Sequence, residues 1–196
     1  MSKTNSTTKV IVEGAMLIAL ATVFSYFPKI GFTWLYGGSI TLEMIPIALM
    51  SYRNGTKWGC ITGFTHGLLQ MILGFSNVMY CATLIAQIGC ILLDYLLAFS
   101  ALGLAAFFAG MLKEKKFAGY IFGAVMVGLL RFICSFLSGW LLWGSYAPEG
   151  TAPAVYSLVY NGSYMLPNTI IMVVVFAVIA KTAPVLLNAN KLNKED

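Results

Sequence analysis

Apolar runs at about 8–27, 40–52, 58–75, 80–112, 117–144 and 156–182 alternate with short polar connections along the chain. A helix needs about 20 apolar residues to cross a bilayer. Hydrocarbon leaves no water to satisfy backbone N–H and C=O groups, so such runs predict helices that satisfy them internally. The second run is short for a full crossing. The fourth, at about 1.5 Å per residue, is long enough to tilt or protrude. The pattern predicts an all-α protein, a single domain over 1–196 built as an integral membrane bundle of six transmembrane helices.

Composition agrees with that picture. Hydrophobic residues make up 59%, charged residues 10%, and the mean hydropathy is +0.83, far from soluble-domain usage. The excess of five positive charges is spread over short connections rather than gathered on one face, which argues against nucleic acid as a partner. Lys3 and Lys9 precede the first run, Arg53 and Lys57 join the second to the third, Lys113, Lys115 and Lys116 join the fourth to the fifth, and Lys181, Lys191 and Lys194 follow the sixth. Six spans place all of these on one side and leave only Lys29 on the other, so the positive-inside rule predicts cytoplasmic termini. The first run is long, follows a polar MSKTNSTTK and ends without a small-residue cleavage signal, so it reads as a retained helix in a multi-pass cell-membrane protein.

Ionisable groups at bilayer depth are costly and mark a function or a partner. Glu13, Glu43, Asp94 and Arg131 fall within the apolar runs, with His66 as a further titratable group. Glu13 and Glu43 lie near run ends, where water or a helix N-terminus stabilises a carboxylate. Asp94 and Arg131 lie deeper, about 27 Å and about 21 Å from the ends near 112 and 117 at about 1.5 Å per residue. Two readings stay open for Asp94: an ion pair with Arg131, or a carboxylate that accepts a hydrogen bond from a ligand amine.

His66 shares its run with Gly59, Gly63 and Gly67, a small-residue stripe that permits close helix packing. A hydrogen-bonded packing histidine fits it better than a metal ligand. Cys60, Cys81, Cys90 and Cys134 lack metal or redox spacing and read as packing residues. The chain carries no GxxxxGK[ST] loop, HExxH or GxSxG, which excludes a self-contained ATP-driven pump and leaves little for an enzyme; no cofactor or metal is expected. On the first helix, Ala15-x-x-x-Ala19 forms a small-residue face suited either to internal packing or to docking a separate membrane subunit.

The aromatic-rich stretch WLLWGSYAPEGTAPAVYSLVYNGSYMLP, from Trp140 to Pro167, sits at one rim of the bundle. Aromatic faces with a few polar groups suit capture of an organic cation. The segments RFICSFLSGWLLWGSYAPEG from Arg131 to Gly150, YSLVYNGSYMLP from Tyr156 to Pro167 and DYLLAF from Asp94 to Phe99, with the first helix, resemble the thiamine-specific substrate-binding subunits (ThiT) of energy-coupling-factor vitamin transporters. The resemblance spans nearly the whole chain. It implies a high-affinity thiamine-binding subunit that docks through Ala15 and Ala19 onto a shared transmembrane coupling subunit carrying two ATPase subunits. It also implies that Trp143 stacks on the pyrimidine while Asp94, Tyr156 and Asn161 contact its polar edge. The chain departs from the family in having aspartate at 94 for glutamate and Ser135 where the family has histidine.

The residues suit such a ligand on chemical grounds. A carboxylate such as Asp94 accepts from an aminopyrimidine amine and offsets a thiazolium charge, and an amide such as Asn161 both donates and accepts. Tyr146 and Trp34 are candidates for the rest of the aromatic wall. An interfacial aromatic belt is the alternative, favoured for Trp34, Trp140 and Tyr164. Glycines around Trp34 and Tyr36 in FPKIGFTWLYGGS suggest a hinged flap. With Lys29 as the outer loops' one basic residue, the unphosphorylated vitamin is favoured over its phosphates. A proton-coupled secondary transporter of an organic cation, through Asp94, Arg131 or Glu43, and a membrane-embedded enzyme are the competing functions.

Overall fold

The computed structural model describes residues 3–26, 38–81, 83–112 and 115–188. Helices dominate: α1 (Lys3–Tyr26), α2 (Met44–Asn54), α3 (Thr56–Leu73), α4 (Phe75–Met79), α5 (Leu84–Cys90), α6 (Ala98–Leu102), α7 (Ala105–Met111), α8 (Lys116–Leu141) and α9 (Pro153–Thr182). A π-helical stretch, Ile91–Leu97, joins α5 to α6, and 3-10 turns occupy Gly144–Tyr146 and Pro184–Leu187. Among the described residues, four helical segments are long and apolar enough to cross a membrane: Thr7–Tyr26, Leu84–Leu102, Lys116–Leu141 and Pro153–Thr182.

The molecule is apolar outside and partly polar inside. Ile85 is 82% exposed, Leu84 71% and Met16 67%, whereas His66 and Ser51 are fully buried and Ser138 and Ser157 nearly so. Lipid supplies no hydrophobic drive between helices, so contacts rest on close backbone approach and hydrogen bonds. The glycine stripe of α3 serves this purpose. A Cβ at Gly59 would lie 2.6 Å from that of Ser51, and one at Gly67 2.6 Å from the Tyr95 carbonyl oxygen; Gly63 meets the Phe99 carbonyl in the same way. These three residues seat α3 directly against α2 and the 91–103 stretch.

The fourth apolar run does not continue as one long tilted helix. It turns π-helical at 91–97 and breaks at Gly103–Leu104. At the break, Ser51 of α2 donates to the Gly103 carbonyl at 2.5 Å and accepts from the Ala106 N–H at 3.0 Å, satisfying backbone groups that the interruption frees. The most extensive helix pairing is α8 with α9. At the end of the bundle where α1 begins, Glu13 pairs with Arg53 and accepts from Asn54, while Arg53 also donates to the Leu186 carbonyl, tying α1, α2 and the C-terminal turn together.

Candidate functional site

A cavity of about 330 Å³ opens among the ends of α1 and α3, the segment before α2, the 90–99 stretch, α8, the turn after it, and α9. This lies at the lower end of small-molecule pocket sizes. Asp94, Ser135, Trp143, Tyr146, Tyr156 and Asn161 all line it. Trp34 and the expected flap FPKIGFTWLYGGS up to Gly37 lie outside the described residues, while its Gly38 and Ser39 line the cavity. Ala15 and Ala19 are exposed on α1, away from the cavity, while Gly14 on the opposite side faces Thr62 and Met50.

Asp94 sits in the middle of the π-helical stretch. A π-bulge rotates the residues that follow it relative to an α-helical track, and such bulges recur at functional sites. Here it brings the carboxylate to face α8. Ser138 Oγ donates to Asp94 Oδ2 at 2.5 Å, Cys90 Sγ donates to the same oxygen at 3.3 Å, and the Trp143 indole stands near the carboxylate. The ion pair between Asp94 and Arg131 considered from depth alone is not formed. Arg131 Nη2 instead meets Glu43 Oε1 at 2.6 Å, with its guanidinium carbon 4.2 Å from the centre of the Phe99 ring. Depth along the helix axis was matched, but azimuth was not: Glu43 at the start of α2 occupies the side of α8 that Arg131 faces.

His66 completes this second cluster. Its Nε2 lies 3.9 Å from Glu43 Oε2 and 3.4 Å from Gln70 Nε2, and Gln70 in turn donates to Ser25 of α1 at 2.8 Å. The ring packs edge-on against Phe99 and is fully buried, the packing role expected of it. Two carboxylates and one guanidinium line the cavity, so with all three ionised their formal sum is one negative charge.

The aromatic wall comes from two places. Trp143 and Tyr146 lie 5.6 Å apart around the 3-10 turn after α8, and Tyr146 donates to the Tyr80 carbonyl. Tyr156 stacks on Tyr160 at 5.8 Å, and Tyr160 meets Tyr164 edge-on. Tyr164 lines the cavity and donates to Asn161 Oδ1 at 2.6 Å, so it is a wall residue rather than part of an interfacial belt. Trp140, 44% exposed, keeps to the outside. The Asn161 amide nitrogen donates to the carbonyl and hydroxyl of Ser157 while its oxygen accepts from Tyr164, so the amide is held at both ends.

Asn168 was not anticipated. It accepts from the Thr41 N–H at 2.8 Å and donates to the Ser39 carbonyl at 2.9 Å, while Tyr160 accepts from the Gly38 N–H. Together they pin the extended segment that carries Glu43. Helical spacing held the signal: Ser157, Tyr160, Asn161, Tyr164 and Asn168 fall at i, i+3, i+4, i+7 and i+11 of one α9 face, and Arg131, Ser135 and Ser138 at i, i+4 and i+7 of α8. Among the described residues no cluster of metal-ligating side chains occurs.

Known proteins resemble this chain over nearly its whole length. Thiamine transporter ThiT of Bacillus subtilis (strain 168) is 36% identical over 189 residues, covering 92% of this chain and 95% of that protein. The protein of the same name from Lacticaseibacillus paracasei is 34% identical over 191 residues, covering 92% and 90%. A solved structure of ThiT from Listeria monocytogenes superposes with a TM-score of 0.74 at 26% identity, covering 93% of this chain and 99% of that one. These relatives are named transporters, not enzymes, and with the apolar helices they make this a multi-pass protein of the bacterial cell membrane. Residues 11–188 match the family model described as thiamine transporter protein (Thia_YuaJ), and the chain belongs to that family.

Proposed function

We propose that the chain is the thiamine-binding subunit of an energy-coupling-factor transporter, capturing the vitamin from outside the cell for uptake driven by partner ATPases. The observation that carries this reading is the convergence of Asp94, Trp143, Tyr156 and Asn161, distant in sequence, on one cavity of about 330 Å³. Asp94 receives hydrogen bonds from neutral groups, so its charge remains to meet a cation, whereas Glu43 is balanced by Arg131. In this reading the aminopyrimidine stacks on Trp143, its amine donates to Asp94, and Asn161 with Tyr156 contacts the far edge. Ser135 and Tyr146 complete the wall. A single excess negative charge favours a monocation over its phosphorylated forms.

Six spans with cytoplasmic termini place the cavity at the outer face, in keeping with the lysine distribution. The exposed Ala15 and Ala19 then offer α1 to the coupling subunit, which brings two ATPase subunits. Tryptophan fluorescence on the purified chain tests the site: thiamine quenches the wild type, and Asp94→Ala and Trp143→Ala each raise Kd by about a hundredfold, a loss of about 2.7 kcal/mol. Unchanged affinity in both variants would remove the assignment. Binding by the chain alone, with uptake into liposomes appearing only when coupling and ATPase subunits are added, separates this reading from a secondary transporter. Ala15→Trp combined with Ala19→Trp then abolishes uptake and leaves binding intact.

A further inference from the structure

The carboxylate at the centre of the site is held by two side chains with no assigned role. Ser138 Oγ reaches Asp94 Oδ2 at 2.5 Å from α8, and Cys90 Sγ reaches the same oxygen at 3.3 Å from one helical turn upstream. Both donors are 1% exposed and stand at the cavity wall beside the carboxylate, each with its polar hydrogen committed to Asp94. An aspartate's terminal torsion is broad and roughly two-fold, so an unsupported carboxylate would sample many orientations. The short O–H···O⁻ contact is of the charge-assisted kind, stronger than the thiol's. With two donors on Oδ2 the plane of the group is set; the Trp143 indole is a further neighbour of the carboxylate, and Oδ1 receives no hydrogen bond from Ser138 or Cys90.

We infer that Ser138, assisted by Cys90, is a positioning residue that fixes Asp94 to accept from a ligand's amino group, and so sets the preference for an aminopyrimidine over the analogue bearing a carbonyl oxygen in place of that amine. This rests on the binding reading above. The mechanism is selective: an amine donates to a held oxygen, while a carbonyl oxygen at the same place is repelled by it. Misorienting the carboxylate therefore weakens the amine ligand and relieves the oxo ligand, which general loosening of the wall would not do.

The test is titration of the purified full-length chain with thiamine and with oxythiamine, the oxo analogue, for wild type, Ser138→Ala, Asp94→Asn and the double variant. Ser138→Ala is expected to raise the thiamine Kd about tenfold and to leave the oxythiamine Kd unchanged or lower, collapsing discrimination. In the Asp94→Asn background the same substitution adds little, because there is no charge left to orient. Equal weakening of both ligands by Ser138→Ala, or an undiminished effect in the Asp94→Asn background, overturns the positioning role. An Asp94→Asn variant that keeps thiamine affinity and discrimination overturns the binding reading itself, and the inference with it; sensitivity of Asp94→Asn with indifference of Ser138→Ala overturns the inference alone. Cys90→Ala provides an independent arm, with a loss of discrimination of about threefold expected for the weaker donor and no loss counting against the cluster.

Discussion

Glu43→Gln exposes what the buried ion pair contributes. The Glu43 and Arg131 side chains are 13% and 11% exposed, joined at 2.6 Å, and the second guanidinium nitrogen of Arg131 has no hydrogen-bond partner. Removing the acid leaves an uncompensated buried cation, which costs about 3–5 kcal/mol, whereas replacing both members by neutral groups is far milder. For a chain of this length about 2–4 °C is lost per kcal/mol, so the single variant should melt roughly 10 °C lower. Ligand binding suffers separately. The cavity changes from net negative to neutral, and at about 8 Å with an effective dielectric of about 20 the lost attraction for a monocation is about 2 kcal/mol, about thirtyfold in Kd. Thermal unfolding in detergent with parallel thiamine titration measures both, on Glu43→Gln and on Glu43→Gln/Arg131→Met. The double variant should recover most of the melting temperature. A single variant as stable as wild type, or a double variant less stable than the single, would refute the pairing argument.

Two further outcomes follow from packing. At Gly139 a Cβ would sit 2.8 Å from Asn161 Nδ2 and 3.1 Å from Ser157 Cβ, so Gly139→Ala should push α8 from α9 at the cavity and raise the thiamine Kd about tenfold with helicity unchanged by circular dichroism. Asn168→Ala strips partners from the Thr41 N–H and the Ser39 carbonyl, costing about 1–3 kcal/mol for the orphaned buried N–H, and amide hydrogen exchange at 39–41 should accelerate while α8 stays protected.

Much of this arrangement was legible because lipid imposes a simple code. Long apolar runs named the helices, and the rarity of charge within them made Asp94, Glu43 and Arg131 conspicuous. The α3 glycines at spacings of four marked a face that another backbone approaches, and Phe99 and Tyr95 do so. Azimuth was harder. Arg131 could be placed in depth but not in direction, and its true counterion lies 88 residues away at the start of α2, a relation no local pattern encodes. The π-helical turn was equally hidden, since ILLDYLL has the hydrophobicity of an ordinary helix and its widened turn is sustained by tertiary contacts with α3 and α8. Tyr164 was misplaced for a related reason: tyrosine suits both a rim and a pocket, and only its bond to Asn161 separates the two.

The two acids of the cavity have opposite assignments, and their neighbours decide which is which. Glu43 is neutralised by a guanidinium stacked over Phe99 and flanked by His66, so it acts as a strut tying α2 to α8. Asp94 is surrounded by a hydroxyl, a thiol and an indole, groups that orient a charge without cancelling it. Under the proposed function a cation in the cavity meets a screened positive charge at Arg131 and an unneutralised carboxylate at Asp94, beside Trp143. Under the proposed function the arginine has two parts, a brace for the wall through Glu43 and a positive charge at the cavity lining. Exchanging the charges in Glu43→Arg/Arg131→Glu preserves the brace in principle while moving the positive charge from α8 to the start of α2. Retained stability with altered thiamine affinity would separate these two contributions, and loss of the fold would show that the pair's direction, and not only its neutrality, is fixed by Phe99 and His66.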